Sequence, residues 1–246
     1  MSYIGYIIVS MLAIIFGQAT KHLCKKLPDW VEEKISFKDF LGSLKHDFKF
    51  DIKYTVIYLV LFNLLVYMQG FSYVTILYAI CMFSLMLVFS IDYRFELIAD
   101  ESHIIIAAVA VVNIFFNLDS WYDYLIGAVI GGGSFYLLGL IALWIYKKEG
   151  MGFGDVKLMA ALGLLFGIKN ILVITILSFA LAAVISIVLM IFKVKKIDSY
   201  IPFGPFIVIA TIAIMLFGTD VFIDSYYTFC MWLGTSVTDI MFKVIN

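Results

Sequence analysis

The chain of 246 residues is 64% hydrophobic and only 14% charged, with a mean hydropathy of +1.06. Soluble domains carry roughly a quarter charged residues, so this composition excludes them and leaves a polytopic membrane protein. A net charge of −1 offers no basic field for nucleic acid, 17% aromatics exclude a disordered chain, and Cys24, Cys81 and Cys230 stand too far apart for a disulfide framework or a cysteine zinc site.

A crossing takes about 20 mostly apolar residues. In chain order the predicted spans are Tyr3 to Thr20, Tyr54 to Gly70, Tyr73 to Ile91, His103 to Asn117, Trp121 to Tyr146, Leu158 to Ile168, Ile171 to Phe192 and Phe203 to Phe217. The fold class expected is therefore all-α, a polytopic membrane bundle of about eight transmembrane helices. The first stretch lacks the basic start and small-residue cleavage site of a secretory signal, so it reads as a retained helix. Residues 1–53 form the first helix and a basic loop, 54–218 the helix bundle, and 219–246 an interfacial or additional transmembrane segment.

Basic residues orient the bundle. The loop from Lys21 to Lys53, Arg94, the group Lys147, Lys148 and Lys157, and the group Lys193, Lys195 and Lys196 fall on alternate loops, whereas Lys169 stands alone on the opposite side. This asymmetry predicts an N-terminus outside and odd-numbered loops in the cytoplasm. The tail mixes Tyr226, Tyr227, Phe229 and Trp232 with Asp224 and Asp239, which suits either a ninth crossing or an interfacial helix.

Most acids lie in loops, where a solvated head is explanation enough. Asp92 and Asp155 do not: one ends the third span and the other opens the sixth. Ionisable groups near hydrocarbon are costly and mark functional sites. Two complete crossings separate these acids, so both face the same side, which the basic loops identify as cytoplasmic. Two carboxylates that meet at one depth share a proton, one serving as base towards a water while the other hydrogen-bonds the carbonyl under attack. This is the chemistry of an aspartic peptidase.

The run Glu149-Gly-Met-Gly-Phe-Gly-Asp-Val-Lys-Leu158 sets Gly150, Gly152 and Gly154 before the second acid. Glycine permits a sharp turn into the helix and leaves room for an extended peptide beside the carboxylate. Asp155 is expected to cap that helix, where free amides and the dipole favour its charged form.

These residues resemble the type IV prepilin peptidase family, membrane aspartic peptidases with a GxGD signature. The segment Glu149 to Leu158, continuing through Gly163 and Gly167, is similar to the family's second catalytic block, which assigns Asp155 as a catalytic aspartate. Ile91-Asp92, with Asp100 eight residues on, resembles the first block, where the leading acid is catalytic; Ala99 stands where the family has proline. Gly127 with Gly131-Gly132-Gly133 matches a glycine-rich helix that permits close packing, and Ile201-Pro-Phe-Gly-Pro205 a final block that punctuates the chain and shapes the substrate groove. Gly17 through Leu27-Pro28 faintly resembles the first-helix motif.

The resemblance implies removal of short basic leaders from membrane-bound prepilins or pseudopilins at the cytoplasmic face of a bacterial inner membrane, within the lipid bilayer and without nucleic acid. Gly150, Gly152, Gly154 and Lys157 would support the active-site loop, and Glu96, Asp100, Glu101 and Glu149 would attract leader lysines. Many relatives carry cysteine pairs suited to zinc in the first cytoplasmic loop; here Cys24 stands alone, and His22, His46 and His103 fall at no ligand spacing and read as interfacial, so no metal is expected. The peptidase needs no cofactor, and S-adenosylmethionine enters only if the family's N-methylation is retained. The rival readings are a presenilin-like peptidase, which usually has Tyr where Ile91 precedes the first acid; a proton- or ion-coupled transporter, which predicts inverted repeats that the sequence lacks; and a catalytically silent scaffold, which would tolerate loss of both acids.

Overall fold

The computed structural model describes residues 3–33, 52–147, 152–192 and 202–245. Expectations that fall on 34–51, 148–151 and 193–201, including those for His46, Glu149, Gly150 and the Lys193 to Lys196 cluster, lie outside these residues. Secondary structure among the described residues is helical: α1 (Tyr3–Glu33), α2 (Ile52–Gln69), α3 (Tyr73–Phe95), α4 (Asp100–Phe116), a 3-10 turn (Leu118–Ser120), α5 (Trp121–Tyr146), α6 (Phe153–Ile191), α7 (Gly204–Phe217) and α8 (Thr219–Ile245). The helix of α1 outruns its apolar stretch and continues to Glu33, because Lys21, Lys25 and Lys26 are good helix formers that extend it out of the apolar zone.

Among the described residues five helices are long and apolar enough to cross a membrane: Gly5–Cys24, Ile52–Gln69, Tyr73–Phe95, Leu118–Ile145 and Phe153–Ile191. A sixth candidate, Gly204–Phe217 with Thr219–Trp232, qualifies only as a bent pair. The eight expected spans map onto these helices unevenly. Helix α6 contains two of them, while α4 with 17 residues and α7 with 14 are shorter than the roughly 20 residues of a full crossing.

A straight α6 of 39 residues would extend roughly 58 Å, nearly twice the ~30 Å hydrocarbon core. It is broken at Gly167, whose φ of 75° and ψ of −179° leave the helical region. A Cβ built on Gly131 of α5 would meet both Met159 O and, at 2.9 Å, Ile171 Cγ1. Residues before and after the break thus reach the same level of α5, and the chain reverses into two arms, α6a (153–166) and α6b (168–191). The Ile168 N–H donates to Asp123 Oδ1 at 3.4 Å, so a carboxylate from α5 caps the returning arm.

Glycine makes this packing possible. A Cβ on Gly163 would run into the Gly127 carbonyl and reach Ala128 N at 2.8 Å, so α5 and α6a approach with backbone against backbone. On the other flank, Phe16 of α1 stacks on Phe83 of α3 with centroids 4.6 Å apart, beside fully buried Tyr58 and Phe62. Polar groups beside these rings bond to one another, as a low-dielectric interior favours. Thr20 Oγ1 donates to Phe16 O at 2.8 Å and lies 2.7 Å from Tyr58 Oη, and Gln18 Nε2 donates to Thr55 Oγ1 at 3.0 Å.

The turns gather at two ends of the bundle. At the distal end Gly5 abuts the Phe71 ring, Asn117 Nδ2 donates to Tyr73 Oη at 3.3 Å, Gln69 Nε2 donates to Met215 O at 3.2 Å, and Lys169 Nζ pairs with Asp220 Oδ1 at 2.6 Å. The proximal end collects the last turn of α3 and the first turns of α4, α6a and α7. After α7 the chain bends by 99° at Gly218, φ 79°, into α8.

Candidate active site

Asp92 stands in the last turn of α3, which continues one residue further to Glu96, a left-handed residue with φ 55° whose N–H donates to Asp92 O at 2.9 Å. Its carboxylate turns inwards and is 4% exposed. Oδ2 accepts the Gly204 N–H at 2.9 Å, the free amide of the first turn of α7. A helix N-terminus presents unpaired amides and the positive end of its dipole, a fitting partner for a buried carboxylate. Pro205 holds that turn in helical geometry at no hydrogen-bonding cost. A Cβ on Gly204 would lie 2.5 Å from Asp92 Oδ2 and 3.1 Å from its Cγ, so the approach requires glycine.

Asp155 occupies the third position of α6a and is equally buried, at 4% exposure. The cap is Gly152, with φ −69° and ψ 138°, and no side chain caps the helix; the expectation that Asp155 itself caps it is corrected. Gly152 O accepts the Asp155 N–H at 3.1 Å, and the carboxylate reaches back towards the Gly152 backbone, with the Asp92 charge within coulombic range. Asp155 Oδ1 is buried without a protein donor. Two buried carboxylates, from α3 and α6a, thus lie at the proximal end, Asp92 tethered to the Gly204 amide and Asp155 with one oxygen turned to no protein partner.

The other expected site residues divide. Gly154 packs against the connection between α3 and α4, where a Cβ would sit 3.1 Å from Ile98 Cβ, and so brings that connection onto the turn that carries Asp155. Lys157 Nζ pairs with Asp100 Oδ1 at 2.7 Å and lies 5.5 Å from the centre of the Phe153 ring. Asp100 thus serves as a clamp between α4 and α6a, not as a free acid. Its hydrogen bond to Lys157 holds the carboxyl below the usual range, with the Lys157 and His103 charges acting the same way against its slight burial. Glu96 is exposed beside Asp92, while Glu101 is half-buried with Oε2 lacking a protein partner. His103, expected at the interface, is buried at 7% exposure with Nδ1 3.6 Å from Asp100 Oδ1.

Gly204 is the functional position that pattern reading undervalued. Its signal was the Pro202-Phe-Gly-Pro205 run, where two prolines around a glycine mark a backbone held open for a close approach.

Comparison with known proteins gives the chain relatives in one family. A profile described as the type IV leader peptidase family matches residues 78–187. Prepilin leader peptidase/N-methyltransferase of Xanthomonas campestris is 33% identical over 143 residues, 56% of this chain and 48% of the relative. The proteins of the same name from Aeromonas salmonicida and Pseudomonas aeruginosa are 37% and 34% identical over 113 residues, 44% of this chain and 39% and 37% of their own lengths. The matched stretch thus spans about half of these relatives or less, and no solved structure matches the chain. Residues 78–187, which carry both Asp92 and Asp155, are thus similar to the type IV leader peptidase family.

Proposed function

We propose that this protein is a membrane aspartic endopeptidase that removes short basic leaders from prepilin-like substrates at the cytoplasmic face of a bacterial inner membrane. The observation that carries the reading is the burial of two carboxylates at the same end of the bundle, Asp92 on the N-terminal amide of α7 and Asp155 within coulombic range of it.

In this reading the two acids share one proton and titrate as a unit. The charged member takes a proton from a water, which attacks the scissile carbonyl carbon. The protonated member donates to the carbonyl oxygen. The tetrahedral adduct then collapses, the C–N bond breaks, and the leaving amine takes up the proton the dyad had gained. Gly204 holds the Asp92 carboxylate, Gly152 leaves room beside Asp155 Oδ2, and Gly154 seats the turn on Ile98. Glu96, exposed next to the dyad, is the described acid best placed to attract a basic leader.

The named relatives are also N-methyltransferases. In this chain such an activity would draw on S-adenosylmethionine; residues 34–51 of the loop from Lys21 to Lys53 lie outside the described residues, and no step is assigned to them. Mass spectrometry of the N-terminus of a co-expressed prepilin tests the proposal. Loss of the leader at one site, dependent on Asp92 and Asp155, supports it, and an intact leader beside normal levels of this protein contradicts it. The same spectrum reads any added methyl group.

A further inference from the structure

Helix α8 is not needed by the dyad, and its placement is unlike that of the other helices. It leaves α7 at 99° through Gly218, so it runs across the bundle axis, not along it. Two contacts hold its first turn to the distal end: Lys169 Nζ pairs with Asp220 Oδ1 at 2.6 Å, and Thr219 Oγ1 donates to Asn170 Oδ1. Both partners sit just after the α6 reversal, at the level where the apolar arms end.

The described acids of α8 keep to one side of the helix, which Val221, Tyr227 and Met231 share. Phe222, Ile223, Tyr226 and Cys230 follow the helical period on one side, with Asp220, Asp224 and Thr228 opposite. The apolar side does not close on the bundle. Between it and α6b lies a cavity of 490 Å³, lined by Val173, Ile176, Leu177 and Ala180 below and by Phe222 and Tyr226 above. Ile176 is 69% exposed and Tyr226 66%, on the flank of a helix apolar enough to cross a membrane. The surroundings of that flank are hydrocarbon, and the cavity volume is in the range of about 300–1,000 Å³ typical of small-ligand sites.

We infer that α8 lies in the plane of the distal leaflet as an amphipathic interfacial helix, with a phospholipid acyl chain filling the space between it and α6b. Its aromatic side chains sit at headgroup level and Asp224 and Thr228 face water. A transmembrane role for α8 is incompatible with this placement, and the dyad chemistry does not enter the inference.

Cysteine scanning tests it in full-length protein in sealed membrane vesicles, with Cys230→Ser removing the exposed thiol and leaving the buried Cys24 and Cys81. Phe222→Cys, Asp224→Cys, Tyr226→Cys and Thr228→Cys are each treated with a membrane-impermeant maleimide, with Asp119→Cys in the distal 3-10 turn reporting that face. The expected result is labelling about tenfold faster at 224 and 228 than at 222 and 226, with the sidedness of position 119. Labelling that falls steadily from 222 to 228 would mean a crossing, and equal labelling at all four would mean a helix clear of the membrane; either overturns the inference.

Discussion

Gly204 contributes no side chain, yet its amide holds Asp92 in place, and a methyl group there would occupy the carboxylate's own position. Gly204→Ala should therefore lower leader cleavage by at least about a hundredfold, the scale of a lost acid–base group, while the protein still accumulates in membranes. Ala99 presents the opposite case. It stands where the family has proline, yet its φ of −69° is one that proline adopts, so the expected backbone geometry is kept without the ring. Ala99→Pro should stabilise the protein by ~0.4–1 kcal/mol with cleavage retained, read as a rise in Tm. The Asp100–Lys157 pair joins the two blocks that carry the dyad. Charge reversal at either residue should slow cleavage by about tenfold, and reversing both should recover most of the loss. Because the Asp100 carboxyl is held below its ordinary value, its contribution is complete above the unfolded carboxylate range and is lost only as pH falls through the lowered value. A cleavage rate indifferent to single reversals would remove the clamp from the account.

At the scale of elements, hydropathy sufficed to separate Leu158 to Ile168 from Ile171 to Phe192, although a single helical run contains both. The signal was the Gly167-Ile-Lys-Asn170 interruption, and the reversal seen at Gly167 is its structural cause. What the linear pattern did not contain was the partner: Asp123, 45 residues away, caps the second arm, a pairing that exists only after α5 and α6 pack. Capping at Asp155 was misread for a related reason. An acid in the first turn of a helix has the same sequence appearance whether it is the cap residue or stands inside the turn, and only the folded backbone shows Gly152 as the cap, with Asp155 three residues on. The glycine stripe of α5 was legible, since residues spaced to one helix face without side chains imply backbone contact. Gly163→Ala, which drives a methyl into the Gly127 carbonyl, should cost about 1–3 kcal/mol and be seen as reduced thermal stability in detergent.

Across the whole molecule, parity was the most secure inference from sequence. Two crossings between Asp92 and Asp155 require a common face, and the turns at residues 69–73, 117, 169 and 215–220 do gather at the end away from them. The direction of α8 was not legible, because a moderately apolar tail suits a crossing or an interface equally and the 99° bend depends on one glycine. The central claim remains that Asp92 and Asp155 act as one unit. The most direct measurement is the leader-cleavage rate of Asp92→Asn, Asp155→Asn and the double variant at equal protein levels in membranes. Each single substitution should be about as damaging as both together, because neither carboxylate works without the other. Near-normal cleavage by either single variant, or losses that multiply in the double, would contradict the account.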